Sequence, residues 1–318
     1  MQQLNTIEHT MSMLLSRRND KVVDFEHVVQ SERKPPEELR VLSSPTGSLL
    51  RDRFGTDKPI IAMCHLPALP GRPRHDPVGG IGRIVESLAH DLPILHEAGV
   101  DGLLFCNEAD LPYELRVGPE IPAAMAAVIG QVRSGIRLPF GVNLVWDPRA
   151  SLAVARATGA TFVREVFTGV YESDLGVMQP DFGAIAAYRT MIGAQDVALF
   201  SNITPEFASS LGSRTIAERA QSAAFLGVEV ILISGQITGM SINLADLAAA
   251  KAAVPETPVL ANTGVRAETV SEVLAIADGA LVGTTLKRDG VTWNPVDRDR
   301  AMRFMDAARA ARDRASVG

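Results

Sequence analysis

From Ser48 onward, short apolar runs alternate with longer stretches whose apolar residues recur every three to four positions. The first pattern predicts buried strands and the second amphipathic helices. The runs are Ile60-Met63, Gly102-Cys106, Phe140-Leu144, Phe162-Val166, Val197-Phe200, Val230-Ile233, Val259-Ala261 and Ala280-Val282. Helical periodicity falls near 80–98, 121–134, 149–158, 182–193, 214–226, 242–254 and 268–277, with a last stretch near 297–314. Strands that are each followed by a crossover helix imply a parallel sheet, and eight such units in roughly 260 residues fit a closed (β/α)8 TIM barrel. The alternative, a doubly wound open sheet, lacks a Gly-x-Gly-x-x-Gly turn after its first strand.

Residues 1–47 break this rhythm. They are rich in polar and charged residues, contain Pro35-Pro36 and end in Ser43-Ser44-Pro45-Thr46-Gly47. They read as an N-terminal extension with a short amphipathic helix over Gln3 to Arg17 and a flexible linker, ahead of a barrel domain at 48–318. Composition changes the picture only by exclusion. With 318 residues, 46% hydrophobic and 21% charged, the chain can bury a large core. A net charge of -6 and a pI near 5.6 argue against nucleic acid as a partner. Two cysteines, Cys64 and Cys106, cannot staple a chain of this size, and no apolar run approaches membrane-spanning length. The expectation is a reduced, cytoplasmic homo-oligomer with no membrane partner.

In such a barrel, chemistry gathers at the C-terminal ends of the strands, and the loops after strands seven and eight commonly bind phosphate. Here those loops follow Pro258-Val-Leu-Ala-Asn-Thr-Gly-Val265 and Ala277-Asp-Gly-Ala-Leu-Val-Gly-Thr-Thr-Leu-Lys287. Their small residues allow backbone N–H groups to approach an anion, so Gly235, Gly264, Gly283 and Thr284 are candidate phosphate ligands, joined by Lys287. The expected partner is a small phosphorylated metabolite. The same residues also serve as plain turn chemistry.

A polar residue closes almost every predicted strand. His65 is a candidate general acid or base, its ordinary pKa lying near neutrality. In strand four, Arg164-Glu165 interrupts an apolar run, and alternation aims one of the two into the barrel mouth. A buried carboxylate there suits proton transfer, although a structural ion pair leaves the same trace. Asp147 is either a site residue or the cap of the following helix, with Pro148 at its first position. Asn107, Asp110, Asn143 and Asn202 are candidate substrate-binding residues. Thr168 to Gly176 is long for a loop of this kind and reads as a lid that brings Asp174 to the site. No lysine lies in strand five or six, which argues against a Schiff-base aldolase, and P-loop and zinc-ligand spacings are missing. No cofactor is required, while Mg2+ held by carboxylates and substrate phosphate stays open.

Ile61-Ala-Met-Cys-His-Leu66, Leu69-Pro-Gly71, Asn107 to Tyr113, Gly141-Val-Asn-Leu-Val-Trp-Asp-Pro148, Phe162-Val-Arg-Glu-Val-Phe-Thr-Gly169 and Ala261-Asn-Thr-Gly264 together resemble the BtpA/SgcQ family, and the SgcQ branch more closely. The resemblance runs from about Ser48 to the last helix. It implies a barrel linked either to sugar utilisation or, in a photosynthetic branch, to photosystem I biogenesis. It also implies a comparison with phosphoribosylanthranilate isomerases, whose cysteine at the end of strand one makes Cys64 a catalytic candidate. Many members carry a lysine near the end of strand five, where this chain has Phe200-Ser-Asn-Ile203. Two functions follow as expectations: acid–base catalysis on a phosphorylated sugar, by isomerisation or lyase cleavage ahead of hydrolysis, or a non-catalytic assembly or regulatory factor.

Overall fold

A computed structural model describes residues 46–315, and the expected helix over Gln3 to Arg17 lies outside them. Eight parallel strands close into a barrel: β1 (Ile60–His65), β2 (Gly102–Cys106), β3 (Phe140–Asn143), β4 (Phe162–Glu165), β7 (Ala198–Asn202), β9 (Val230–Ile233), β10 (Val259–Ala261) and β11 (Ala280–Val282). β1 pairs with both β2 and β11, which completes the ring. Crossover helices α2 (Gly80–Ala98), α3 (Glu120–Val132), α4 (Pro148–Thr158), α5 (Phe182–Met191), α6 (Ile216–Phe225), α7 (Leu244–Ala253) and α8 (Val270–Ile276) separate successive strands, and α9 (Arg298–Ala315) follows the last. The TIM barrel expected from the hydrophobic rhythm is therefore the fold.

Two apolar cores explain why every barrel strand reads as a continuous hydrophobic run, since each is buried on both faces. The outer core joins strands to helices through residues such as Cys64, Phe105, Val142 and Val163. The inner one fills the barrel with Ile61, Met63, Leu104, Phe162, Phe200, Leu232, Leu260 and Leu281. Phe162 and Phe200 stack at 4.6 Å between ring centres, and Phe54 meets both edge-on. Phe54 and Leu50 belong to a helix the sequence pattern did not predict, α1 (Thr46–Phe54), which joins this inner core. On β3, Gly141 faces the Phe162 ring, and a Cβ there would collide with it.

The other departure is a small antiparallel sheet of β5 (Tyr171–Ser173), β6 (Gly176–Met178) and β8 (Ala208–Ser210), in the order β6-β5-β8. The segment expected as a lid is thus a hairpin paired to the loop after β7. Tyr171 anchors it: the side chain is buried and its hydroxyl donates to the Ile203 carbonyl at 3.2 Å. Asp174 occupies the exposed hairpin tip.

Candidate functional site

The strand alternation that fills the barrel floor also builds its mouth. Two residues beyond each inner apolar side chain, the inward positions become His65, Cys106, Asn143, Arg164, Asn202, Ser234, Asn262 and Gly283. Above this ring lies a cavity of about 780 Å³. Its wall includes Glu108, Glu165 and Glu206, the asparagines at 143, 202 and 262, and the aromatics Tyr113, Trp146, Phe207 and Trp293.

On β4 the inward position goes to Arg164. Its Nη2 donates to Glu206 Oε1 at 3.0 Å in a buried ion pair. Asn202 Nδ2 donates to the other Glu206 oxygen at 2.9 Å, and Asn262 Nδ2 to Oε1 at 3.3 Å. This bonding compensates the desolvation of the two charges. Phe207, next in the chain, has φ +58 and sits on the cavity wall. Left-handed backbone at a bulky residue is costly and concentrates at functional sites.

Glu165 alternates toward α4 and meets the cavity from its edge. Its Oε1 accepts from Ser151 Oγ at 2.6 Å and Asn143 Nδ2 at 2.7 Å, and no donor among the described residues reaches Oε2. Burial pushes its pKa up to about 8 against the pull of these two hydrogen bonds. Glu108 is also raised, first by burial and then by Glu206. It accepts from Thr238 Oγ1 at 3.3 Å, across the mouth from the loop after β9. Cys106 Sγ lies 3.5 Å from Glu108 Oε2 and 3.3 Å from Asn143 Oδ1, and its one S–H serves one of these acceptors at a time.

His65 lines the cavity as a neutral imidazole: burial, then the charges of Lys287 and Arg164, push its pKa down to about 3. Its Nδ1 has no hydrogen-bond partner. The ring packs on Gly283, where a Cβ would come within 2.8 Å of Cε1, so this glycine is required by the histidine as much as by any ligand.

Several expected site residues are structural instead. Cys64 faces the outer core, because Met63 and His65 take the inward positions, and burial pushes its thiol up to about 12. Asp147 caps α4, accepting from the Arg149 and Ala150 amides at 3.1 and 3.0 Å, and its other oxygen accepts from Val117 N. Asn107 and Asp110 bind each other at 2.8 Å and tie down Val145 N and Leu69 N, so both hold loops and neither lines the cavity. Lys287 is buried against Asp91 of α2 at 2.8 Å and cannot meet a phosphate. The Gly235 amide is engaged by Thr263 Oγ1 at 2.6 Å. Asp174 does not line the cavity either. Asn143, Asn202, Gly264, Gly283 and Thr284 do, alongside His65 and Glu165.

Glu108, Glu206, Arg266, Arg300 and Arg303 line the cavity without having been singled out from sequence. The spacing of Arg300 and Arg303 on α9 was a usable signal, since residues three apart share a helix face. Among the described residues, no group of three or more His, Cys, Asp or Glu side chains is arranged to hold a metal ion, and no helix is long and apolar enough to cross a membrane.

A closed parallel barrel with a polar mouth of this kind defines a TIM-barrel protein with a candidate small-molecule site. Residues 56–310 match the BtpA family, and the chain belongs to it. It is 47% identical over 260 residues to the putative sgc region protein SgcQ of Escherichia coli K12, covering 81% of this chain and 97% of that one. It is 30% identical over 258 residues to the photosystem I biogenesis protein BtpA of Synechocystis, covering 80% and 89%. Among solved structures, one described as native KDPGal aligns with a TM-score of 0.50 at 16% identity, covering 84% of this chain and all of that one. That likeness concerns the fold alone.

Proposed function

We propose that the chain is an enzyme acting on a phosphorylated sugar or sugar-derived metabolite by acid–base chemistry, as an isomerase or lyase. The observation that carries the reading is the convergence of Glu108, Glu165 and Glu206 with Arg164 and three asparagines on one open cavity at the C-terminal end of the strands. A carboxyl whose pKa sits near 8 can both give and take a proton close to neutral pH, and Glu165 is the group for that step. Neutral His65 supplies a polar contact, while Asn143, Asn202 and Asn262 suit sugar hydroxyls. The phosphate end lies toward the loops after β10 and β11, where Gly264, Gly283 and Thr284 reach the wall.

The rival reading, a non-catalytic assembly factor, draws on the printed name of the Synechocystis relative. An open pocket with convergent polar groups weighs for the enzyme. The test is thermal stabilisation of the full chain by a panel of sugar phosphates, because a ligand at 100 times its Kd adds about 2.7 kcal/mol. A panel that leaves Tm unmoved throughout counts against the reading.

A further inference from the structure

We infer that Arg266, Arg300 and Arg303 form the anion subsite of this cavity and receive a phosphomonoester dianion, an inference that rests on the sugar-phosphate reading. The three come from two separate elements, the loop after β10 and the first turns of α9, yet line the same cavity as Gly264, Gly283, Thr284 and Thr285. Arg300 is fixed there, its Nε donating to the Thr285 carbonyl at 3.1 Å.

Their lack of partners separates them from Arg164, the other arginine lining this cavity, which pairs with Glu206. Arg266, Arg300 and Arg303 form no ion pair among the described residues, although Glu268 shares their wall. Like charges gathered on one concave surface repel one another, and an anion bound between them removes that cost. Guanidinium groups also match phosphate oxygens with paired N–H donors. With Lys287 held by Asp91, these side chains are the cations facing the phosphate end. Glu108, Glu165 and Glu206 line the same cavity, with Glu206 bound by Arg164, Asn202 and Asn262. The substrate enters with its anionic end at these unpaired arginines and its hydroxyl-bearing end among the glutamates and asparagines.

The test is calorimetric binding of inorganic phosphate and ribose 5-phosphate to the full chain. Arg266→Gln and Arg303→Gln should each weaken both ligands about 10-fold, and the double variant about 100-fold, with the unliganded Tm unmoved. These two residues carry the test because Arg300 also holds the Thr285 turn. Arg314→Gln removes the same charge near the far end of α9 and should stay within about twofold of the unsubstituted protein, showing that net charge is not the cause. Gluconate, a sugar acid without phosphate, should bind more weakly than ribose 5-phosphate. Unchanged affinity in the Arg266 and Arg303 variants, an equal loss in Arg314→Gln, or tighter binding of gluconate would each overturn this subsite while leaving the enzyme reading in place. Failure of the unsubstituted protein to bind either phosphate would sink the sugar-phosphate reading along with it.

Discussion

The same strands carry an apolar ring low in the barrel and a polar ring above it, separated by one step of strand alternation. Phe162 and Arg164 share β4, Phe200 and Asn202 share β7, and Met63 and His65 share β1. Below, α1 contributes Leu50 and Phe54, which with the phenylalanine stack fill the interior. Above, every inward position but Cys106 and Gly283 is polar, and the buried charges hold one another in place. The contrast assigns stability to one ring and ligand chemistry to the other, and each ring can be attacked separately.

The largest effect is expected low in the barrel. Phe162→Ala removes a ring that touches Phe54 and Phe200 and fills the space opposite Gly141. It should cost about 3–5 kcal/mol in denaturant-unfolding stability. Folded molecules of this variant should still bind sugar phosphates normally. Equal losses of stability and of ligand affinity would show that the two rings are not separable.

Glu165→Gln addresses the upper ring. Turnover should fall about 100-fold, equivalent to roughly 2.7 kcal/mol of transition-state stabilisation, while ligand affinity holds. The substitution also has a signature that needs no substrate. Folded Glu165 keeps its proton up to about pH 8, whereas an ordinary carboxyl releases it near 4.5. The folded state therefore binds the extra proton across that range, and stability falls as pH rises through it. His65 acts in the opposite sense: depressed from 6.5 to about 3, it makes stability fall as pH drops below 6.5. The two slopes oppose between 4.5 and 6.5, and since Glu108 is raised as well, the Glu165 limb is the part of the slope from 6.5 to 8 that differs between the unsubstituted protein and Glu165→Gln. Stability measured at several pH values should lose that limb in Glu165→Gln, and a limb that persists would remove Glu165 from the proton-transfer role.

What the sequence disclosed follows the same division. The barrel was legible because strands buried on both faces read as unbroken apolar runs between amphipathic helices. That property also hid the parity of each strand. With both faces apolar, nothing in Ile61-Ala-Met-Cys-His shows that Met63 and His65 face inward and Cys64 outward, nor which of Arg164 and Glu165 takes the mouth. Short strands such as Tyr171–Ser173 and Ala208–Ser210 carry too few residues for a period and are held by pairing, with each other and, for Tyr171–Ser173, with Gly176–Met178. Lys287 looked available because its partner, Asp91, is brought to it only by the packing of α2 on the barrel.

The smallest expected effect concerns Asp147, where the sequence left two roles open. Its carboxylate accepts two amides in the first turn of α4 and the Val117 amide, and it stays off the cavity wall. Losing such a cap costs about 1 kcal/mol. Asp147→Ala should therefore lower the unfolding midpoint modestly and leave turnover per folded molecule unchanged, whereas Asp147→Ser, which retains a capping oxygen, should recover part of the stability. The coupling to watch is through α4: Ser151, one turn on, donates to Glu165 Oε1 and accepts from Leu144 N at 2.7 Å. The Asp147 charge also helps to raise Glu165, so the limb should move to lower pH in both Asp147→Ala and Asp147→Ser, and fraying that reached Ser151 would add a further shift in Asp147→Ala alone. Limbs that move equally in both would show that the cap serves the helix alone, and a fall in turnover with stability intact would restore Asp147 to the site.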